Sequence, residues 1–261
     1  MNDELAIRIV DLKKSYGDFL AVNGLTLSVP QGCFFGFLGP NGAGKTTTIR
    51  MLTGLAQPTS GTIEVLGLQM PDREFHVRRQ IGLVPDDTLL FDHLTGHEYL
   101  QFVGRMYGLD RRVAKERASE LLGLFELDHE ERKLAGEYSK GMRKRLAMGA
   151  ALIHRPRLFL MDEPFEGVDA VGARLMKNIL LEQVRRGATV FLTSHVLEVV
   201  ERLCDRLAII NKGRLAVEGT MDEIRAQTGG DSTHLEDIFA NAVGASQPEL
   251  GSAAAGNLDW L

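Results

Sequence analysis

The feature that most constrains this chain is a glycine-rich loop between an apolar run and a predicted helix. Residues 33–38, CFFGFL, are continuously apolar, which predicts a short buried strand of a parallel sheet. The loop 39–46, GPNGAGKT, follows at once, and 46–55, TTTIRMLTGL, is predicted to be a helix. Glycines here let backbone N–H groups close around a phosphate at the helix N-terminus. The segment therefore predicts a phosphate-binding site.

Each residue type in this loop suits a nucleotide bound with Mg²⁺. The Lys45 ammonium can reach the β- and γ-phosphates, and the Thr46 hydroxyl can bind Mg²⁺. A coincidental glycine-rich turn is the alternative, and the strand and helix on either side disfavour it. The residues predicted to contact the nucleotide are Gly39, Pro40, Asn41, Gly42, Ala43, Gly44, Lys45, Thr46 and Thr47.

Two later strands end in residues that suit hydrolysis. The run 157–164, RLFLMDEP, ends with Asp162, predicted to hold Mg²⁺, and Glu163, predicted to polarise an attacking water. The two carboxylates could instead cap the following helix. His195 follows the strand ATVFLTS, where a histidine is more often an ordinary surface or core residue. Because ligands of open α/β sheets bind at the carboxyl ends of strands, we expect His195 to contact the γ-phosphate.

The order of apolar runs predicts a parallel sheet with helices on its faces, since strands and helices alternate. Residues from about 92 to 156 carry helical spacing without a strand, which predicts an inserted helical subdomain. A hairpin strand is predicted at 212–219, with helices near 221–227 and 234–242. The remaining residues, 244–261, are rich in Ala, Gly and Ser, and we expect a flexible tail.

Composition narrows the class of protein. The 261 residues carry a formal net charge of −5, so net charge gives no reason to expect a nucleic-acid partner. No stretch approaches 18 apolar residues, and the N-terminus lacks the pattern of a signal peptide. Cys33 and Cys204 lie in apolar runs, where we expect buried free thiols rather than a disulfide or metal site.

Over residues 5–243 the chain resembles the nucleotide-binding subunit of ATP-binding-cassette (ABC) transporters. The segments that carry the resemblance, in order, are Tyr16, GPNGAGKT, VPDD, YSKGMRKRL, LFLMDEP, EGVDA and TSH. The resemblance implies a P-loop NTPase core, an N-terminal antiparallel β subdomain and the inserted helical subdomain, in one ATPase domain over 1–243. It implies hydrolysis of ATP to ADP and phosphate, coupled to transport. It also implies a cytoplasmic location on the inner face of the cell membrane, beside integral membrane permease subunits.

The same resemblance implies a second cassette, paired head to tail with two ATP molecules at the interface. Ser139 and Gly141 lie in the signature segment, which is expected to contact the ATP held by the other protomer. Ser139 also fits a plain helix N-cap, and both roles can hold at once. Tyr16 is expected to stack on adenine; without the resemblance it would be an ordinary loop tyrosine. Whether the two cassettes are identical stays open.

Two positions depart from the usual family pattern. Asp86 stands where the family usually has Gln, and we expect its carboxylate to coordinate Mg²⁺ or hold water. Lys140 replaces the first signature glycine, and Tyr-Ser-x-Gly-Met resembles the exporter branch, which serves drug, antibiotic, lipid or polysaccharide permeases. The C-terminal HLEDIFANAVG resembles that branch too.

Two alternatives remain. A soluble cassette acting on ribosomes or DNA is disfavoured by the single cassette and the lack of a long heptad run or basic tail. A non-hydrolysing regulatory cassette is suggested by Asp86 and Lys140 and disfavoured by Glu163 and His195.

Overall fold

The computed structural model describes residues 4–130, 132–227 and 235–244. The strands in these residues are β1 (Leu5–Tyr16), β2 (Phe19–Pro30), β3 (Phe34–Leu38), β4 (Ser60–Val65), β5 (Leu68–Met70), β6 (Ile81–Val84), β7 (Leu158–Asp162), β8 (Thr189–Ser194), β9 (Arg206–Asn211) and β10 (Arg214–Gly219). The α-helices are α1 (Lys45–Leu52), α2 (Glu74–Arg78), α3 (Gly96–Met106), α4 (Arg111–Leu124), α5 (Lys140–Leu152), α6 (Ala170–Arg185), α7 (Leu197–Leu203), α8 (Met221–Gln227) and α9 (Leu235–Val243).

The central sheet has six strands in the order β10-β9-β3-β8-β7-β6. Strands β9, β3, β8, β7 and β6 are mutually parallel, and β10 is added antiparallel at one edge. Every residue of β3, β7 and β8 is buried, because helices or the second sheet cover both faces. The predicted parallel sheet is confirmed.

Neighbouring strands bring the predicted site segments together. β8 lies between β3 and β7, and all three run in the same direction. Their carboxyl ends lead into the loop 39–44, the pair Asp162-Glu163 and His195. Three segments far apart in sequence therefore meet at one edge of the sheet, as ligand sites of open α/β sheets do.

A second, antiparallel sheet has the order β2-β1-β4-β5. The hairpin of β1 and β2 is longer than the apolar runs 5–10 and 25–29 suggest, and it closes with Tyr16 paired to Phe19. Backbone pairing continues past the alternating apolar residues, so the hydrophobic pattern alone underestimates both strands. This sheet confirms the predicted antiparallel β subdomain.

Two hydrophobic cores lie on the two faces of the central sheet. One core contains residues of α1, of the antiparallel sheet and of one face of β3. The other contains residues of α4, α5, α6, α7 and α9. Between 92 and 156 the described residues form α3, α4, α5 and short 3₁₀ turns, and α5 packs against β6 as well as α3. Helix α5 thus joins the helical stretch to the central sheet.

The C-terminal helices α8 and α9 lie close to their predicted ranges. The predicted flexible tail 244–261 falls outside the described residues apart from Gly244. Among the helices of the described ranges, none is both long and apolar enough to cross a lipid bilayer. Cys33 and Cys204 are free, and burial raises the pKa of Cys33 to about 11 and that of Cys204 well above its ordinary value. Both cysteines are free thiols as expected, but their residues are partly rather than fully buried.

Candidate nucleotide-binding site

The glycine-rich loop joins α1 at a residue whose left-handed backbone conformation requires glycine. Gly44 is the N-cap of α1 with φ of 108° and ψ of 6°. A Cβ at this position would lie 2.6 Å from the carbonyl oxygen of Ala21, so any side chain would clash with backbone. No side chain caps the helix. The first-turn N–H groups, which lack intrahelical partners, are therefore left for a ligand.

Lys45 begins α1 and is almost entirely buried. Its Nζ donates to the carbonyl oxygens of Gly39, at 2.7 Å, and of Pro40, at 3.3 Å. Burial lowers the pKa of Lys45, while the nearby carboxylates of Glu163 and Asp162 act in the opposite direction. Neutral carbonyl groups hold the ammonium over its own loop. An anion can replace them, because a hydrogen bond from an ammonium to an anion is stronger than one to a neutral carbonyl.

Asp162 is the last residue of β7, and it is only 2% exposed. The Thr193 hydroxyl donates to Asp162 Oδ1 at 2.6 Å, across the parallel pairing of β7 with β8. This bond fixes one carboxylate oxygen, and the second remains available. The role of Thr193 was not predicted; the register that pairs it with Asp162 is the signal that identifies it.

Glu163 turns sharply away from the strand end. Its φ of 47° lies in the left-handed region, which is uncommon for residues other than glycine. Its Oε2 lies 3.0 Å from Nδ1 of His195. Burial raises the pKa of Glu163, and the hydrogen bond from His195 and the charge of Lys45 oppose that rise. A largely buried carboxylate with a raised pKa, hydrogen-bonded to an imidazole, is suited to accept a proton from water.

These groups surround one pocket of about 190 Å³. It is lined by Phe19, Ala21, Asn41, Gly42, Gly44, Lys45, Thr46, Thr47, Asp86, Asp162 and Glu163. Gly39, Pro40 and Ala43 form the backbone beneath it, where the Ala43 N–H donates to the Pro40 carbonyl. His195 is added through its contact with Glu163. Phe19, an exposed aromatic at the start of β2, is a wall residue that the sequence did not single out.

Tyr16, Ser139 and Gly141 do not line this pocket. Tyr16 is about half exposed at the end of β1, with Lys14 Nζ 4.8 Å from its ring centroid. Ser139 is the exposed N-cap of α5, and its hydroxyl accepts from the Met142 N–H at 3.2 Å. The signature segment therefore stands apart from the phosphate loop of its own chain.

The signature segment packs instead on the loop that follows Glu163. Lys140 Nζ lies 2.6 Å from Glu166 Oε1, an ion pair that raises the pKa of Lys140 and lowers that of Glu166. A Cβ at Gly141 would lie 3.0 Å from the carbonyl oxygen of Gly167. The small residue at 141 permits this close approach of the two loops.

The pocket offers only oxygen donors to a metal. The carboxylates of Asp86 and Asp162 and the Thr46 hydroxyl share its wall. The described ranges contain no group of three or more His, Cys, Asp or Glu that could hold a metal on their own. Mg²⁺ suits such a site, because it keeps several waters and is bound by one or two carboxylates together with substrate phosphates. The residues present fit a phosphate-bound Mg²⁺.

Comparison with known proteins agrees with this geometry. Residues 22–166 match the family model described as ABC transporter. The chain is 40% identical over 243 residues to the daunorubicin resistance ATP-binding protein DrrA3 of Streptomyces coeruleorubidus, covering 93% of this chain and 77% of the relative. It is 42% identical over 226 residues to the linearmycin resistance ATP-binding protein LnrL of Bacillus subtilis strain 168, covering 85% and 71%.

Solved structures give the same fold. A structure of the ATP-binding subunit of an ABC transporter superposes with a TM-score of 0.85 at 31% identity, covering 91% of this chain and 99% of that one. The dimeric ATP-binding cassette MJ0796 bound to ADP and phosphate superposes with a TM-score of 0.77 at 23% identity, covering 82% and 98%. The chain therefore belongs to the ABC transporter family, as an ATP-binding subunit.

Proposed function

We propose that this chain hydrolyses ATP to drive a separate membrane permease that exports its cargo. The observation that carries the proposal is the placement of Glu163, a largely buried carboxylate bonded to His195, on the wall of the same pocket as Lys45 and Asp162. Export is supported by relatives, which include the daunorubicin resistance protein and a Nod factor export ATP-binding protein of Burkholderia orbicola at 42% identity.

The chain's residues divide the work of hydrolysis. The N–H groups at the start of α1 and the Lys45 ammonium bind the phosphates and orient the γ-phosphate. Thr46 and Asp162 would hold Mg²⁺, which would neutralise charge on the phosphate oxygens, and Asp86 is a further oxygen donor on the same wall. Glu163 orients the attacking water and takes its proton. His195 holds the Glu163 carboxylate and faces the γ-phosphate.

We propose that a complete site needs two chains. Ser139 and Gly141 lie outside the pocket of their own chain, at the exposed N-terminus of α5. That terminus, with the Ser139 hydroxyl, suits the γ-phosphate of an ATP bound by a partner cassette placed head to tail. Shifting the ratio of closed to open dimer from 1:99 to 99:1 needs about 5.5 kcal/mol of differential affinity of the ligand for the closed state. Two nucleotides, each contacting both chains by charge-assisted bonds, can supply it.

An exposed apolar surface supports the permease as partner. Leu89 is 88% exposed and Met106 is 72% exposed, and the exposed rings of Phe91 and Phe102 make an edge-to-face contact with centroids 5.2 Å apart. Exposed apolar clusters of this kind mark protein contacts. We propose that this surface, formed by the loop after β6 and helix α3 of the helical subdomain within an ATPase domain over 1–243, receives the permease at the cytoplasmic face of the membrane. The relatives above give no support to action on ribosomes or DNA.

Replacing the proposed base tests the assignment. We expect Glu163→Gln to keep ATP affinity, to lower hydrolysis at least 100-fold, and to elute as a dimer with MgATP on size-exclusion chromatography. Glu182→Gln, a change on the exposed side of α6, is the matched control and should hydrolyse at the parental rate. A parental rate in Glu163→Gln would refute the assignment. Co-purification with a membrane protein, rather than ribosomes, tests the partner.

A further inference from the structure

Lys144 is a buried cation that none of the roles above uses. It lies on α5 with 1% exposure, the lowest of any lysine in the described residues. Its Nζ donates to the carbonyl oxygens of Pro85 and Glu163, each at 3.1 Å, and lies 3.7 Å from Asp86 Oδ1. Two of the three N–H donors of this ammonium thus have carbonyl acceptors, and Asp86 lies beside it as an ion-pair partner beyond hydrogen-bond distance.

Such a site is costly unless it does something that an apolar side chain could not. Burying an ammonium costs several kcal/mol, which geometry and pairing must offset. Burial lowers the pKa of Lys144, and the largest opposing influence is the Asp86 carboxylate. Asp86 is the carboxylate within 4 Å of Lys144 Nζ among the described residues, so it is the counter-ion paired with this lysine.

One of the two carbonyl oxygens that Lys144 binds belongs to Glu163, whose φ of 47° places its backbone in the left-handed region. A non-glycine residue in the left-handed region is strained, and this conformation persists only when its surroundings hold it. The Glu163 N–H donates to the Thr193 carbonyl and hydroxyl oxygens, both at a long 3.3 Å. Lys144 holds the other side of the same residue, its carbonyl. Thr193 and Lys144 together thus fix the direction in which the Glu163 side chain leaves the strand.

We propose that Lys144 is a positioning residue for Glu163, and that Asp86 serves it as counter-ion rather than chiefly as a magnesium ligand. The proposal rests on the proposed role of Glu163. It also joins three segments through one ammonium: the signature helix, the loop after β6 and the proposed base. Because the loop after β6 continues into the exposed Leu89 and Phe91, a partner that shifts this loop would disturb Glu163 through Lys144.

The first test separates positioning from binding. Lys144→Met keeps the length of the side chain and removes the charge and donors. We expect kcat to fall about 30-fold while the dissociation constant for ATP changes less than threefold. In the Glu163→Gln background the same change should lower the residual rate less than twofold, since the group it positions is gone. Lys115→Met, at an exposed position of α4, is the control and should leave both values unchanged.

The second test uses Asp86, which is half exposed and tolerates substitution more readily. We expect Asp86→Asn to lower kcat about tenfold. The Mg²⁺ concentration that gives half-maximal activity should stay unchanged. The double variant Asp86→Asn/Lys144→Met should be no slower than Lys144→Met alone, because the two act through one contact. A severalfold rise in the Mg²⁺ requirement, or effects that multiply in the double variant, would overturn the proposal.

The controls also distinguish which proposal has failed. If Glu163→Gln hydrolyses ATP at the parental rate, the proposed base is wrong and the role of Lys144 falls with it. If Glu163→Gln is slow while Lys144→Met and Asp86→Asn keep the parental kcat, only the positioning role is refuted. Retained ATP affinity in each variant shows that it is folded.

Discussion

The starts of α1 and α5 are both helix N-termini suited to phosphate, yet the chain completes only one of them. α1 begins at a left-handed glycine with no side-chain cap, inside a pocket that also holds Asp162 and Glu163. α5 begins at Ser139, whose hydroxyl already caps the helix, on an exposed surface outside that pocket. One terminus is built to bind a ligand within the chain, and the other is built to meet a ligand brought by another molecule.

The lysines at the two helix starts differ in the same way. Lys45 is buried and bonded to neutral carbonyls of its own loop, so a phosphate can compete for its charge. Lys140 is exposed and already paired with Glu166. Its presence at a position where the family usually has glycine therefore adds no free cation beside Ser139. The ion pair instead fastens the signature segment to the loop after Glu163.

Removing the charge at α1 should have the largest effect. We expect Lys45→Ala to weaken ATP binding at least 100-fold, because at least two charge-assisted hydrogen bonds of about 1.5–3 kcal/mol each are lost. Isothermal titration calorimetry of the single chain measures this. Arg50→Ala, at an exposed position of the same helix, should bind ATP as the parent does. Lys45→Ala binding within fivefold of the parent would contradict a ligand site at the start of α1.

Ser139→Ala should separate the two helix starts. We expect unchanged ATP affinity in the single chain and hydrolysis about 100-fold slower, the usual cost of one lost donor at a charged transition state. Stability should fall by about 1 kcal/mol through loss of the cap. Thr95→Ala, which removes the N-cap of α3, is the matched control: it should lose similar stability and keep its hydrolysis rate. If both variants hydrolyse equally, Ser139 is only a cap.

Tyr16→Ala should have the smallest effect of the three changes. It should alter only the nucleotide site at the start of α1, not the role of the start of α5. We expect ATP binding to weaken about tenfold, within the 1–3 kcal/mol of a base stacked on an aromatic ring, while Tyr16→Phe keeps the affinity. Fluorescence titration with ADP measures this without hydrolysis. Phe19→Ala is the comparison, since Phe19 lines the pocket and Tyr16 does not. A larger loss in Phe19→Ala would assign the stacking to Phe19.

The sequence predicts those parts of the site that follow strands. The loop 39–46, Asp162, Glu163 and His195 each end or follow a strand whose apolar run is easy to recognise, and parallel strands bring such ends to one edge. The same logic predicts the parallel character of the central sheet. The apolar runs underestimate the lengths of β1 and β2 in the second sheet, because the backbone pairing of these strands continues beyond the apolar residues.

The rest of the site depends on packing that no local pattern records. Lys144 sits among Arg143 and Arg145 in a basic helical segment, and nothing in that run marks it as the buried one. Thr193 and Asp162 lie 31 positions apart, and only the strand register joins them. The ion pair of Lys140 with Glu166 likewise requires the docking of two loops.

The uncapped start of α1 also has a consequence for the lifetime of the chain. No side chain caps its first-turn N–H groups, so an anion can bind them in place of water and stabilise the folded state. A ligand at 100 times its dissociation constant stabilises the native state by about 2.7 kcal/mol through mass action alone. The free energy of unfolding of this chain should therefore rise with the concentration of nucleotide. In a cell depleted of ATP and ADP, the protein would be less stable.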